Sequence, residues 1–174
     1  MLFRSTPEDE DKYIHLGFDG KYEYAGVPFL DKDFVVEPES QNMIVFGHNM
    51  KDGSQFAHIM KYKSESFWKD HRYIKYTTLY EERVYEIIGA FEDRLYKKSE
   101  DVFKFYQFVD PETEEEFNEA IEYFKEKTPY EIEATAEYGD SLITLVTCAY
   151  HTSNGRFVVV GRLVTEDAPA ENAG

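Results

Sequence analysis

The stretch Ser141–Leu163, SLITLVTCAYHTSNGRFVVVGRL, decides the fold. Leu142–Thr147 and Phe157–Val160 are short runs dense in Leu, Ile, Val, Thr and Phe, side chains that suit a pleated, buried surface. Between them Ser153, Asn154 and Gly155 carry turn chemistry, so the stretch reads as two antiparallel strands joined by residues 149–155. In such a pair the residue entering the return strand lies beside the residue leaving the outgoing one, which sets Arg156 against Cys148. Arg162 comes later on the return strand, about 20 Å away at the strand rise, and is too far to share a site. Cys148 is the only cysteine. A free cysteine is commonly a small buried hydrophobe, but a neighbouring cation stabilises the thiolate and makes it reactive at neutral pH.

A second constellation lies upstream. Asn42–Phe46 reads as a strand that delivers Gly47, His48 and Asn49 to its end, before the Asp52-Gly53 turn. A histidine at the mouth of a strand is partly exposed, as a proton carrier must be. By itself it would equally be a loop histidine capping a turn. His151, close to Cys148 in sequence, falls in the hairpin loop and reads as a solvated loop histidine.

Thr144-Leu145-Val146-Thr147-Cys148, followed by Arg156 and the strand Phe157–Val160, resembles the TLxTC signature and downstream arginine of the sortases, and the GHNMKDG stretch around His48 resembles the same family. Sortases are cysteine transpeptidases that attach proteins to the cell wall of Gram-positive bacteria. The resemblance covers nearly all of residues 11–163. It implies a mainly β fold: a closed barrel of about eight strands, which leaves no sheet edges exposed, with an N-terminal helix, short peripheral helices and one long helix inserted before the catalytic strand. That helix and the N-terminal one are more similar to class B than to class A. The resemblance makes Cys148 the nucleophile, His48 the acid and base, and Arg156 the group that holds the oxyanion or the substrate backbone; Val146, Thr147 and Ala149 would line the substrate site. Ala149 departs from the acidic residue that class B relatives often carry there. No cofactor or metal is implied. The partners would be a sorting-signal peptide, similar to Asn-Pro-Gln-Thr-Asn or to Pro-x-Thr-Gly, and an amine of a peptidoglycan precursor. A monomer at the outer face of the membrane, held by an N-terminal anchor absent from this chain, completes the expectation.

Composition bounds the alternatives. The chain has 174 residues, 42% of them hydrophobic, enough for one domain with a substantial core. Lys and Arg number 19 against 35 Asp and Glu, a net charge of −16 that argues against nucleic acid or an anionic membrane surface as partner. No apolar run approaches the ~18 residues of a membrane span, and residues 1–10 carry no secretion signal. A papain-like protease would place its cysteine at a helix start and its histidine later in the chain, the reverse of this order. A metal site built on His48 and His58 matches no standard zinc spacing. A pilin-polymerising sortase and a non-catalytic barrel that binds peptide or cell-wall polymer stand as the other readings.

In chain order, Thr6-Pro7 with Glu8, Asp9 and Glu10 predicts a helix start, extending to about His15. Short strands are expected at residues 27–30 and 34–36, Ser54 is expected to cap a helix holding Phe56 and Ile59, and a turn of helix is expected around Phe67 and Trp68. A strand at residues 72–78 turns through 79–82 into a long strand at 84–94 with a bulge at Gly89. Residues 103–109 read as an aromatic strand. Thr113-Glu114-Glu115-Glu116 is a capping box, Phe117, Ile121 and Phe124 repeat on one face, and Thr128-Pro129 ends the helix. The expected organisation is an extension at 1–10, a catalytic barrel at 11–164 and a disordered tail at 165–174.

Overall fold

Residues 13–78 and 81–164 are described by a computed structural model of the chain. Its framework is one sheet of six strands: β1 (Phe29–Leu30), β2 (Asn42–Phe46), β3 (Tyr73–Thr77), β4 (Glu82–Arg94), β5 (Leu142–Cys148) and β6 (Gly155–Leu163), in the order β1-β2-β5-β6-β4-β3. All neighbours are antiparallel except β2 and β5, which run parallel. Both faces of the central strands are covered. Val158, Val159 and Val160 are fully buried in succession, and a strand buried on both sides has no reason to alternate.

One face packs against helix α2 (Glu114–Lys127), where Phe117 and Phe124 meet Phe91, Val146 and Val158. Thr113 caps this helix by accepting the Glu116 N–H at 3.2 Å, and the Glu116 carboxylate accepts the Glu112 N–H at 3.0 Å. At its other end the Thr128 hydroxyl donates to the Phe124 carbonyl and accepts the Ala90 N–H, which ties the helix to β4. The β4–β6 register shifts between Ile87 and Gly89, the expected bulge. A Cβ on Gly89 would lie 3.3 Å from the Phe124 Cβ, so glycine permits the close approach of helix and strand. The opposite face carries a 3₁₀ helix (Phe56–Lys63) and helix α1 (Glu65–Asp70), whose Phe56 and Trp68 join Val45, Ile143 and Val159.

The mainly β architecture with few helices matches the expectation, with differences in detail. The named strands number six rather than about eight, and β1 and β3 are edges, so the ladder does not close among the described residues. Residues 103–109 form no strand. Phe105–Gln107 is a 3₁₀ turn, and the aromatic rings pack under α2, with Phe103 5.9 Å from Phe124 and Phe108 5.9 Å from Phe117. Aromatic density there reflects a helix to be covered, not a ladder to be joined. Residues 34–36 are likewise not a strand, because Ser40 bonds back to Val35 through both its N–H and its hydroxyl and closes a turn. Ser54 does not cap the 3₁₀ helix; Gln55, at φ 55°, precedes it, and the Ser54 hydroxyl donates to Asp52. Tyr13–His15 form a turn and a bend rather than helix. The helix start at residues 6–10, the centre of the turn at 79–80 and the tail at 165–174 lie outside the described residues.

Two consequences are measurable. Gly47 follows β2 directly, and a Cβ there would lie 2.6 Å from the ring of buried Phe56. Gly47→Ala is expected to cost roughly 1–3 kcal/mol by overpacking, read as a lower denaturation midpoint; an unchanged midpoint would show that the ring gives way freely. Burial pushes the Tyr62 phenol from the ordinary 10.0 up to about 12 and raises those of Tyr85 and Tyr130 in the same direction. These neutral phenols stabilise the fold fully below the unfolded value and cease to do so as pH rises through the folded one. The melting temperature should therefore fall between about pH 10 and 12, in step with tyrosinate absorbance, and Tyr62→Phe should lessen the slope.

Candidate active site

The site is built where three strand ends meet. Cys148, the last residue of β5, pairs directly with Arg156 of β6. Directly paired residues project to the same face of a sheet, so thiol and guanidinium are neighbours by register. The β2–β5 ladder runs in step from Asn42↔Leu142 to Phe46↔Val146. Continuing it brings Gly47 beside Thr147 and His48 beside Cys148, and three hydrogen bonds hold that continuation: the Gly47 N–H donates to the Val146 carbonyl at 3.0 Å, the Thr147 hydroxyl to the Gly47 carbonyl at 2.7 Å, and the Asn49 side-chain amide to the Cys148 carbonyl at 2.9 Å. Cys148 and Arg156 are thus paired on adjacent strands, and His48 lies two residues past the end of β2, the strand on the other side of β5. Arg162 pairs instead with Leu142 at the opposite end of β5 and donates to Glu86 at 3.1 Å.

His48 is oriented from outside the sheet. Its Nε2 lies 2.9 Å from the Ile14 carbonyl oxygen, which can only accept, so Nε2 carries a proton and Nδ1 is the nitrogen left with a lone pair in the neutral ring. Its ring stacks on His15 at 5.8 Å, and the Nδ1 of His15 is held by the Tyr24 carbonyl at 3.1 Å. This arrangement rests on Gly26, at φ 51°, where a Cβ would lie 2.3 Å from the same Ile14 oxygen. Ile14, His15, Gly26 and Asn49 were not among the residues singled out in the sequence. Asn49 stood inside the GHNMKDG motif; nothing local to Ile14 announces that its carbonyl meets His48.

Cys148 and Arg156 are both half-buried. Arg156 donates from Nη1 to the Gly155 carbonyl at 2.9 Å and forms no ion pair among the described residues. Its other cross-strand neighbour is Asp93 of β4, which is only 4% exposed. The Asp93 carboxylate accepts the hydroxyls of Tyr96 at 2.7 Å and Tyr123 at 2.5 Å and the Arg94 N–H at 2.8 Å. Burial, then the bond to Asp93, raises both phenol pKa values, so these hydroxyls remain donors. Asp93, a residue that sequence reasoning passed over, thus stands in a row with Arg156 and Cys148 across β4, β6 and β5.

Arg156 opens into a cleft of about 420 Å³ floored by Phe29, Phe46 and Leu95, with Tyr96 and Tyr106 among its polar lining. Val146, Thr147 and Ala149 are 1%, 1% and 2% exposed and lie behind this surface. Their side chains shape the site through packing rather than by presenting area to it. His151 is set apart, with Nδ1 3.3 Å from Glu92. His58 is exposed, and the described residues contain no group of three or more metal-ligating side chains. The assembled chemistry is a thiol beside a fixed cation, with an imidazole at the end of the next strand.

Comparison with known proteins places this arrangement. The sortase-domain family matches residues 11–164. Sortase B of Listeria monocytogenes is 31% identical over 164 residues, covering 91% of this chain and 63% of the relative. The chain thus spans less than two thirds of that relative's length. The crystal structure of sortase B from Bacillus anthracis superposes with a TM-score of 0.78 at 30% identity, covering 93% of this chain and 71% of that one. A Staphylococcus aureus sortase B–substrate complex, at 21% identity, shares the fold with a TM-score of 0.77 over 92% of this chain and 71% of that one. With its strand order, its paired cysteine and arginine and these matches, the chain belongs to the sortase family and is similar to sortase B.

Proposed function

We propose that the chain is a cysteine transpeptidase acting on a C-terminal sorting signal. The supporting observation is the register that sets Cys148 against Arg156 with His48 at the end of the neighbouring strand. The Cys148 sulfur, as thiolate, attacks the carbonyl carbon of the signal's threonine, and Arg156 stabilises the resulting oxyanion through its fork of donors. Collapse breaks the C–N bond, and His48 gives its proton to the departing amine, leaving a thioester on Cys148. An amine of a peptidoglycan precursor then attacks that thioester; His48 takes its proton, and the sulfur leaves as thiolate. While Nε2 of His48 is bound to the Ile14 carbonyl, Nδ1 is the nitrogen that exchanges the proton. Sulfur suits both halves, being a strong nucleophile and a good leaving group.

The donor would carry a signal similar to Asn-Pro-Gln-Thr-Asn or Pro-x-Thr-Gly, and the enzyme would work as a monomer at the outer face of a Gram-positive membrane. Among the described residues no helix is long and apolar enough to cross a membrane.

Incubation with such peptides, with and without an amine acceptor, should give a mass-spectrometric adduct on Cys148 that carries the peptide up to its threonine. Cys148→Ala and His48→Ala should abolish turnover while leaving the melting temperature near that of the parent. Arg156→Ala should lower kcat/KM by roughly 10²–10³, the scale of a lost oxyanion donor, and Arg162→Ala only mildly. Greater damage from Arg162→Ala than from Arg156→Ala, with both variants folded, would overturn the assignment of roles.

A further inference from the structure

The cations of this chain are not placed evenly. Acids outnumber bases by 35 to 19, and among the described residues most basic side chains outside the cleft take an acidic partner, Lys51, Lys61, Arg72, Lys97 and Lys125 being the exceptions. Lys63 pairs with Glu92, Lys69 with Glu65, Lys75 with Glu82, Arg83 with Glu39 and Arg162 with Glu86. Lys98, Lys104 and Arg156 differ. All three line the cleft, and none forms an ion pair among the described residues. Lys104 donates from Nζ to the backbone carbonyl of Glu100 at 2.8 Å, while the Glu100 carboxylate is turned away to Arg94 and to the Lys97 N–H. The Glu100 carboxylate is therefore committed elsewhere.

The cleft is polarised as well as charged. Lys98 and Lys104 lie on the wall that follows β4, and Asp31, Lys32 and Asp33, with two acids to one base, lie on the wall that follows β1, with the apolar residues Phe29, Phe46 and Leu95 also lining the cleft. A site of this volume and floor takes a few side chains of a peptide rather than a bare inorganic anion. A carboxylate on such a peptide would be attracted to the wall of Lys98 and Lys104 more than to the wall of Asp31, Lys32 and Asp33, so charge would orient the peptide as well as bind it.

Building on the transpeptidase reading, we infer that Lys98 and Lys104 determine specificity by selecting a sorting peptide with an acidic side chain near its threonine. An uncharged signal would leave the lysine wall unneutralised and lose both attraction and orientation.

The test is a set of peptides based on Asn-Pro-Gln-Thr-Asn in which each position but the threonine is occupied in turn by Glu or by Gln. Formation of the Cys148 adduct gives kcat/KM, and fluorescence anisotropy with Cys148→Ala gives binding without chemistry. At one position Glu should exceed Gln by roughly three- to tenfold, chiefly through KM, and added salt should shrink the ratio. Lys98→Gln/Lys104→Gln should bring the ratio to one, whereas Lys125→Gln, on the last turn of α2, should preserve it. Equal values for Glu and Gln at every position, a preference for Gln, or a Glu preference that survives the double lysine substitution would each overturn the inference. If no peptide forms an adduct, the transpeptidase reading fails, and anisotropy still decides the cleft: acid-selective binding lost in the double variant upholds the lysine wall, and binding indifferent to charge removes it.

Discussion

The structure depends on the register of β5. This strand is hydrogen-bonded on one side to β2, in parallel, and on the other to β6, antiparallel; the second pairing sets Arg156 against Cys148, and the first leads the chain to His48 just past the end of β2. Because side chains alternate between faces, a slip of one residue would turn the thiol to the opposite face and carry Val146 off the face shared with α2. Burial on both faces opposes such a slip. The core packing that holds Leu142, Ile143 and Val146 in place is therefore also what aligns Cys148 with Arg156.

Much of this was legible in the sequence because much of it is local. The β5–β6 hairpin is closed by a short loop, so turn chemistry at Ser153-Asn154-Gly155 sets the register that matches Cys148 with Arg156 and sends Arg162 to the far end. Helix α2 declared itself through its capping box and apolar repeat, and the bulge through Gly89. The contribution of β2 is of another kind. Its motif could be recognised, but a parallel pairing between segments so distant in the chain leaves no local pattern. The same holds for Ile14 and Asp93, whose importance lies in what the fold brings to them. The misread aromatic segment at residues 103–109 shows the converse, since rings that cover a helix and rings that line a strand look alike along the chain. Residues flanking the cysteine met a similar limit: Val146, Thr147 and Ala149 are near the nucleophile in sequence, yet buried.

The electrostatic design separates two uses of charge. Over most of the surface the bases neutralise a minority of a large acidic excess, and such exposed pairs are worth about 0–1 kcal/mol each. In the row Asp93, Arg156 and Cys148 the groups are buried or half-buried; Asp93 accepts from Tyr96 and Tyr123 and Arg156 donates to the Gly155 carbonyl, so these two are held by hydrogen bonds as well as by packing. A guanidinium held only by a backbone carbonyl among the described residues keeps most of its donors available, which suits the oxyanion role proposed for it.

The parallel pairing of β2 with β5 has a consequence for how the protein comes into being. A chain emerging from its N-terminus presents His48 early and Cys148 near the end, and everything between them must be laid down before the two strands can join. Contacts of such long sequence separation form late because chain closure must precede them. The thiol therefore meets the guanidinium and the segment that carries His48 only when nearly the whole domain has been made and has folded, so that a partly synthesised chain lacks the assembled site. Completion of the site waits on completion of the fold.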